Sequence, residues 1–464
     1  IIPEKSKTSQ NTIDYVIQLT PHIKRGEIDR GLDIFNSTLA RSSGTGSQIG
    51  RLIGLGVNAQ VNDRNLLSGS ETYTLSAGIN TQIELTTSRN PIRALSYNLN
   101  NALQYPIFKD PLKFVKVLNK TYLLTDKMYQ GFYNDATTSL NLGMNSVSFR
   151  DLYGVLTIDG NLGYRFSDKF SSNILVNQIG ITANKYRIDS TFRQLLIDSG
   201  NQFQLNSLTS NFFTGILFRN ISYNFNWPKN ANRISKSLLL NFETSGLEVS
   251  VLNGFTNLFT AKNEEWKIGS FQFSKFGRVE IDGRITKFYN GIRSLVGRIN
   301  LGVIVPFGKN QFSPYQKQFS VGGPNSLRGW AQRELGPGSI IQQIGQNVIP
   351  FSQSDIKIEA NLEYRFGIWW VIEGALFMDA GNIWAIKAAN QNGIFKFNKF
   401  YNEIAVSTGF GLRWNFDYFI IRFDTGIKLR DPYVTTTKPN YWYTPEQIFS
   451  QVPGNVLVAI NYPF

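Results

Sequence analysis

"IKIEANLEYRF", residues 356–366, alternates at every position: Ile356, Ile358, Ala360, Leu362, Tyr364 and Phe366 are set against Lys357, Glu359, Asn361, Glu363 and Arg365. Successive side chains of a strand point to opposite faces, so one face here is apolar and the other wholly polar. Two earlier runs repeat the pattern. In "IGRLIGLGVNAQV", residues 49–61, Ile53, Leu55, Val57 and Val61 oppose Gly54, Gly56, Asn58 and Gln60. In "TYTLSAGINTQIEL", residues 72–85, Tyr73, Leu75, Ile79 and Ile83 oppose Thr74, Ser76, Asn80 and Gln82.

A soluble sandwich also alternates, but its strands run to about 5 or 6 residues, whereas these extend over about 11–16. A tilted strand crossing a bilayer needs about 9–11 residues plus what projects beyond it. Lipid supplies no water to unpaired amides, so such strands cross only as a closed barrel, apolar side out and polar side lining a wet lumen. Marking each run predicts strands near 24–36, 49–62, 71–86, 94–107, 136–149, 152–166, 170–184, 211–226, 235–247, 271–288, 294–307, 356–366, 370–382, 403–414, 418–429 and 455–464. The fold class expected is therefore all-β: a 16-stranded transmembrane antiparallel β-barrel, an even number as bacterial barrels require. With entry from the periplasm, parity puts segments 185–210, 248–270, 308–355, 383–402 and 430–454 at the cell surface and 108–135 in the periplasm. "DSTFRQLLIDSG", residues 189–200, carries an Asp or Ser start and a Gly stop and predicts a short rim helix.

Composition narrows the function classes. The chain has 464 residues, 42% hydrophobic and 17% charged, with no apolar run long enough for a spanning helix. It has no cysteine and one histidine, His22, so thiolate or His-rich metal sites and a histidine-centred catalytic triad are not expected. We expect no enzyme activity, no metal and no cofactor; "GPGS", residues 336–339, reads as loop-turn chemistry and not as a nucleophile elbow. The net charge of +14 is scattered without a run of five cations, so nucleic acid is not an expected partner. The N-terminal "NTIDYVIQLT", residues 11–20, alternates and stops at Pro21. Residues 1–22 therefore read as the end of a small periplasmic domain, with an ordinary N-terminal arm as the alternative, and 23–464 as the barrel.

One segment has neither period: 308–355, containing "FSVGGPNSLRGW", residues 319–330, a lone cation among glycines. "VGGPNSLRGW" resembles the loop motif of the outer membrane protein 85 superfamily, with Leu327, Arg328, Gly329 and Trp330 at its core. "FMDAGNIW", residues 377–384, is similar to that family's Phe-x-Asp-x-Gly strand signature, and the ending "VLVAINYPF", residues 456–464, resembles its aromatic-ended last strand. The strands around "NDRNLLSGSE", residues 62–71, look like the family's start of barrel, so the likeness spans Lys24 to Phe464. Within the family the loop and the two strands after it look closest to a TamA-like branch found in Bacteroidetes, called TamL. Trp330 departs from the commoner Phe or Tyr but keeps an aromatic ring.

The resemblance implies that loop 308–355 folds into the lumen and that Arg328 and Gly329 dock against Glu363 and Asp379. Physics asks for the same thing, since a guanidinium in a confined bore needs carboxylates, and parity turns Glu359, Glu363, Glu373 and Asp379 inward. The resemblance further implies a bacterial outer-membrane protein whose N-terminus lies in the periplasm. It would insert or export client proteins through a lateral seam between the first and last strands, marked by Gly26, Gly31, Val456, Val458 and Phe464. Glycines weaken a strand interior, which fits a weak seam and equally a tight barrel corner, and Pro463 cannot donate to a ladder. Expected partners are outer-membrane lipid and lipopolysaccharide, client outer-membrane proteins, an inner-membrane or periplasmic partner, and accessory subunits. The rival readings are a passive or substrate-specific pore gated by loop 308–355 and a two-partner secretion transporter.

Overall fold

Alternation becomes geometry in a computed structural model, which describes residues 2–5, 13–16, 26–40, 49–67, 70–84, 92–110, 113–122, 125–167, 172–198, 202–216, 218–260, 267–269, 271–289, 293–308, 312–340, 352–387, 391–416, 420–434, 439–451 and 454–460. The strands are β1 (Ile2–Lys5), β2 (Ile13–Val16), β3 (Gly26–Ala40), β4 (Ile49–Arg64), β5 (Thr72–Glu84), β6 (Ile92–Tyr105) and β7 (Ala136–Phe149). They continue as β8 (Tyr153–Ser167), β9 (Ser172–Ile188), β10 (Asn211–Gly215), β11 (Asn220–Trp227), β12 (Ile234–Ser245), β13 (Lys267–Ile268), β14 (Phe271–Phe273) and β15 (Phe276–Phe288). The last six are β16 (Ser294–Pro306), β17 (Ile356–Trp369), β18 (Ile372–Trp384), β19 (Ala405–Asn415), β20 (Ile420–Arg430) and β21 (Asn455–Ile460).

Hydrophobic side chains on alternate positions form the outer wall. Leu55, Val57, Ile79, Leu99, Leu142, Ile158, Ile299, Leu362 and Phe423 are all exposed, while Gly54 and Gly56 of the opposite face are buried. This is the inversion of soluble patterning that lipid contact demands. Each strand pairs antiparallel with its neighbour from β3 to β9, and the ladder then passes through β11 and β12 directly to β15 and on to β21. The order brings β21 beside β3 and makes the sheet a barrel. Among the described residues, sixteen strands carry the continuous antiparallel ladder, the number read from alternation, and the short strands β10, β13 and β14 are attached to it.

The stretch 211–226, expected as one strand, is two. Gly215 ends β10, and a Cβ there would lie 2.8 Å from the Phe218 carbonyl, so the chain turns. Arg219 then points inward to Glu243 at 2.6 Å. β10 continues antiparallel along β9 and pairs parallel with β14, which in turn pairs antiparallel with β13, extending the wall at this point. Beside it lies the helix Leu247–Thr260. The helix expected in 189–200 is Ser190–Asp198. Asp189 starts it by accepting from the amides of Thr191 at 2.9 Å and Phe192 at 3.4 Å. The segment between β6 and β7 holds two helices, Phe114–Lys120 and Asp126–Asp135. At the N-terminus β1 and β2 form an antiparallel pair. His22 and Phe464 lie outside the described residues.

Candidate functional site

The segment between β16 and β17 descends into the bore. Gly322 has φ of 97°, and a side chain there would overlap the Ala331 carbonyl, so only glycine lets the two limbs of the loop close on each other. The loop's apolar residues Phe319, Val321, Leu327, Trp330 and Leu335 pack with Phe213, Phe276, Ile304 and Ile383 of the wall. That cluster holds the loop in place and excludes water from what lies beneath it.

Beneath it is Arg328, fully buried. Its Nε donates to Asp379 Oδ2 at 2.9 Å and its second terminal nitrogen to Asp379 Oδ1 at 2.8 Å, a bidentate pair. The other terminal nitrogen donates to Glu363 Oε2 at 2.6 Å and lies 3.8 Å from Asp424. The Arg328 main-chain amide also donates to Asp379, at 3.1 Å. The guanidinium lies over the Phe377 ring, 3.4 Å from its centre. Phe377 and Asp379 are two apart on one strand and face the same way, so spacing alone delivers ring and carboxylate to one cation. Burial alone would lower the Arg328 pKa; Asp379, Glu363 and Asp424 outweigh it and hold the group above its ordinary value.

The four residues expected to form the lock are thus brought together. Gly329 donates its amide to Ser407 Oγ at 3.3 Å, and a Cβ there would lie 2.5 Å from the Ser407 Cβ. Glu359 also meets the loop, accepting from Ser326 Oγ at 2.8 Å and from Arg298 at 2.9 Å. Glu373 is inward and buried but sits lower, where Asn415 donates to it at 3.0 Å.

Several partners escaped the sequence reading. Arg413 and Arg365 both reach Glu363, at 2.9 and 2.6 Å, and Arg422 reaches Asp424 at 2.6 Å. Asn361 donates to Asp379 at 3.0 Å. The available signal was charge at alternate positions in otherwise apolar strands: Arg422 and Asp424 flank Phe423, as Glu363 and Arg365 flank Tyr364. A second anchor was also unforeseen. Lys317 pairs with Glu243 at 2.7 Å, and Arg278 donates to the Lys317 carbonyl at 3.0 Å while covering the Phe319 ring. At the loop's base Ser313 donates to Asp355, which also accepts from the Ile386 amide at 3.0 Å. Burial pushes the Asp355 carboxyl up to about 6 against these donors.

The seam residues fall on two strands. Gly26 and Gly31 lie on β3 opposite Asp63 and Asn58 of β4, and a side chain at Gly31 would meet the Asn58 amide. Val456 and Val458 lie on β21 opposite Thr425 and Phe423. Among the described residues, β21 is 6 residues long and β3 is 15. The lock reaches this seam: Asn455, first residue of β21, donates its side-chain amide to the Arg328 carbonyl at 3.0 Å. Its ladder partner Gly426 has no side chain, and any Cβ there would overlap that same carbonyl.

Residues 77–442 match the model of the Omp85 superfamily domain. No curated protein matches the chain. Among solved structures it is similar to BamA from Haemophilus ducreyi lacking POTRA domains 1–3, with TM-score 0.51 and 16% identity over 87% of this chain and 67% of that one. It is also similar to CdiB from Escherichia coli, with TM-score 0.45 and 11% identity over 92% of this chain and 62% of that one. CdiB from Acinetobacter baumannii gives TM-score 0.44 and 10% identity over 90% and 64%. The chain therefore spans about two thirds of the length of each.

Proposed function

The chain belongs to the Omp85 superfamily, and from that premise we propose that it is an outer-membrane barrel that inserts or exports client proteins through the seam between β21 and β3. An insertase needs an edge that a sealed ladder does not offer. The observation that carries the reading is the junction itself: the first and last strands of the circuit, β3 and β21, are neighbours, so the wall has one junction between chain ends, and the inserted loop reaches it through Asn455. In this reading the backbone of β3 pairs with an incoming strand, which adds by β-augmentation. The inserted loop supports the same reading against a passive pore, because it fills the bore with a buried ion network. In this reading the N-terminus lies in the periplasm, partners include lipopolysaccharide and a periplasmic or inner-membrane protein, and no chemical reaction is catalysed. The TamA-like branch remains our proposed placement within the family.

The test uses cysteines at Arg30 and Val458, on the two seam strands of a protein without native cysteine. Oxidation should stop client insertion into liposomes, and reduction should restore it. Insertion at an unchanged rate with the seam cross-linked refutes the lateral route. A census of outer-membrane proteins after depletion separates general assembly, with many barrels lost, from a TamA-like role, with few lost. Loss of one dedicated secreted substrate would favour two-partner secretion.

A further inference from the structure

A groove of about 740 Å³ runs across the outer wall, over the strands β12 to β19. Its lining alternates small and large: Gly283, Gly297, Ala360 and Ala380 are interspersed with Ile285, Ile299, Leu362 and Met378. These residues are lateral neighbours in the ladder. Gly283 is opposite Ile299, Ile299 opposite Ala360, and Ala360 opposite Ala380. A row along the hydrogen-bonding direction is perpendicular to strands that tilt by about 35–45°, so the groove crosses the membrane obliquely. Trp227 and Lys236 line one end and Trp442 the other. Tryptophan at both ends matches the two interfaces of a bilayer.

The end with Lys236 carries the chemistry. Lys236 is opposite both Trp227 and Ile285, and Lys287 follows two residues beyond Ile285 on the same face. The two lysines are thus diagonal neighbours on adjacent strands, both exposed. Among the described residues neither makes an ion pair. Two cations held together on a lipid-facing wall repel unless an anion lies between them. They sit at the ends of β12 and β15 nearest the β11–β12 and β15–β16 connections, at the barrel end opposite the inserted loop.

We propose that this groove is a binding site for an anionic glycerophospholipid, its phosphate between Lys236 and Lys287 beside Trp227 and one acyl chain against the apolar row Gly283, Ile299, Ala360 and Ala380. The inference rests on the membrane reading of the barrel but not on client insertion. Occupation would fix one lipid against the strands that carry the loop lock on their other face.

The test is lipid retention by the whole purified chain in detergent, read by native mass spectrometry with phosphatidylglycerol and phosphatidylcholine as probes. Wild type should retain phosphatidylglycerol in preference. The Lys236→Gln/Lys287→Gln variant should lose that preference by roughly 30-fold, two lysines each acting at the membrane surface. Gly283→Leu should lose both lipids; a Cβ at 283 meets only Leu238 Cδ1 at 3.8 Å, so the filled groove is compatible with folding. Equal retention of the two lipids by wild type, a lysine variant that keeps the preference, or unchanged retention in Gly283→Leu overturns the proposal. Client insertion, measured separately on the same variants, reports on the seam and leaves this result independent of it.

Discussion

Arg328→Ala isolates the energy of the lock because the network around it is unevenly redundant. Without the guanidinium, Glu363 still has Arg413 at 2.9 Å and Arg365 at 2.6 Å, and Asp424 still has Arg422 at 2.6 Å. Among the described residues, Asp379 loses its bidentate cation and keeps the Asn361 amide at 3.0 Å and the main-chain amide of residue 328 at 3.1 Å. The deficit therefore falls on one buried carboxylate, and removing one member of a buried pair costs about 3–5 kcal/mol. Release of the loop lets water reach Asp379, so the penalty is paid only by the inserted state. Loop opening should rise by about 100- to 5,000-fold, the same energy expressed as a population. Ala331→Cys provides the readout: the site is 1% exposed and the chain has no other thiol, so maleimide labelling under native conditions measures opening. Neutralising the orphan with Asp379→Asn in the Arg328→Ala background should slow labelling again by at least about tenfold, the penalty of an unpaired charge having been removed. Labelling as slow as in the parent, or a double variant as fast as the single one, would refute the assignment of the energy to this pair.

Three further outcomes follow from the same geometry. Gly426→Ala should speed Ala331→Cys labelling as strongly as loss of the arginine, because the new methyl overlaps main chain at Arg328, whereas Gly277→Ala, with open space around it, should be neutral. Asp355 titrates near 6 in the folded loop against an ordinary 3.8, so its contribution is full below about pH 4 and is lost as pH rises through about 6. Labelling, divided at each pH by the rate of the same thiol in the unfolded chain because the thiolate is the reactive form, should accordingly be slower at pH 5 than at pH 7.5, and Asp355→Asn should flatten that normalised dependence; an unchanged normalised profile in the variant would assign it elsewhere. Asn455→Ala removes a hydrogen bond of about 0.5–1.5 kcal/mol, and should raise cross-linking between client strands and the seam without altering the Arg328–Asp379 pair, as judged by the same labelling assay.

The strands were legible because lipid outside and water inside impose opposite demands on alternate residues, a constraint that acts on each strand separately. It fails where a strand leaves the circuit: "NFFTGILFRN", residues 211–220, carries apolar groups on both parities, and only the turn at Gly215 divides it. The lock was half legible. Parity turned Glu363 and Asp379 inward, but resemblance was needed to choose them over Glu359 and Glu373, since strand period fixes a face and not a height. Height depends on how far the loop descends, which is set by apolar packing of Phe319, Leu327 and Trp330 against residues from strands far apart in sequence. The cations Arg413 and Arg422 were missed for a related reason. A row of charges facing the bore is expected of any barrel, and nothing local distinguishes those that meet a carboxylate from those that meet water.

The lock's position has a mechanical consequence for the seam. Arg328 touches β17 through Glu363, β18 through Asp379, β20 through Gly426 and β21 through Asn455, so a single loop residue spans the wall from its middle to its last strand. The contact with β18 is ionic and bidentate, while that with β21 is one neutral hydrogen bond, weaker by several-fold. Strain applied at the seam by an incoming strand should therefore break the Asn455 contact first and leave the ion pair intact. In the proposed lateral route, opening of the seam and release of the loop are then separable events, ordered by the strength of their bonds. The ordering is testable with Ala331→Cys labelling during client insertion: a reporter that stays protected while a client strand cross-links to β3 supports it, and one that becomes labelled at the same rate as the cross-link forms refutes it.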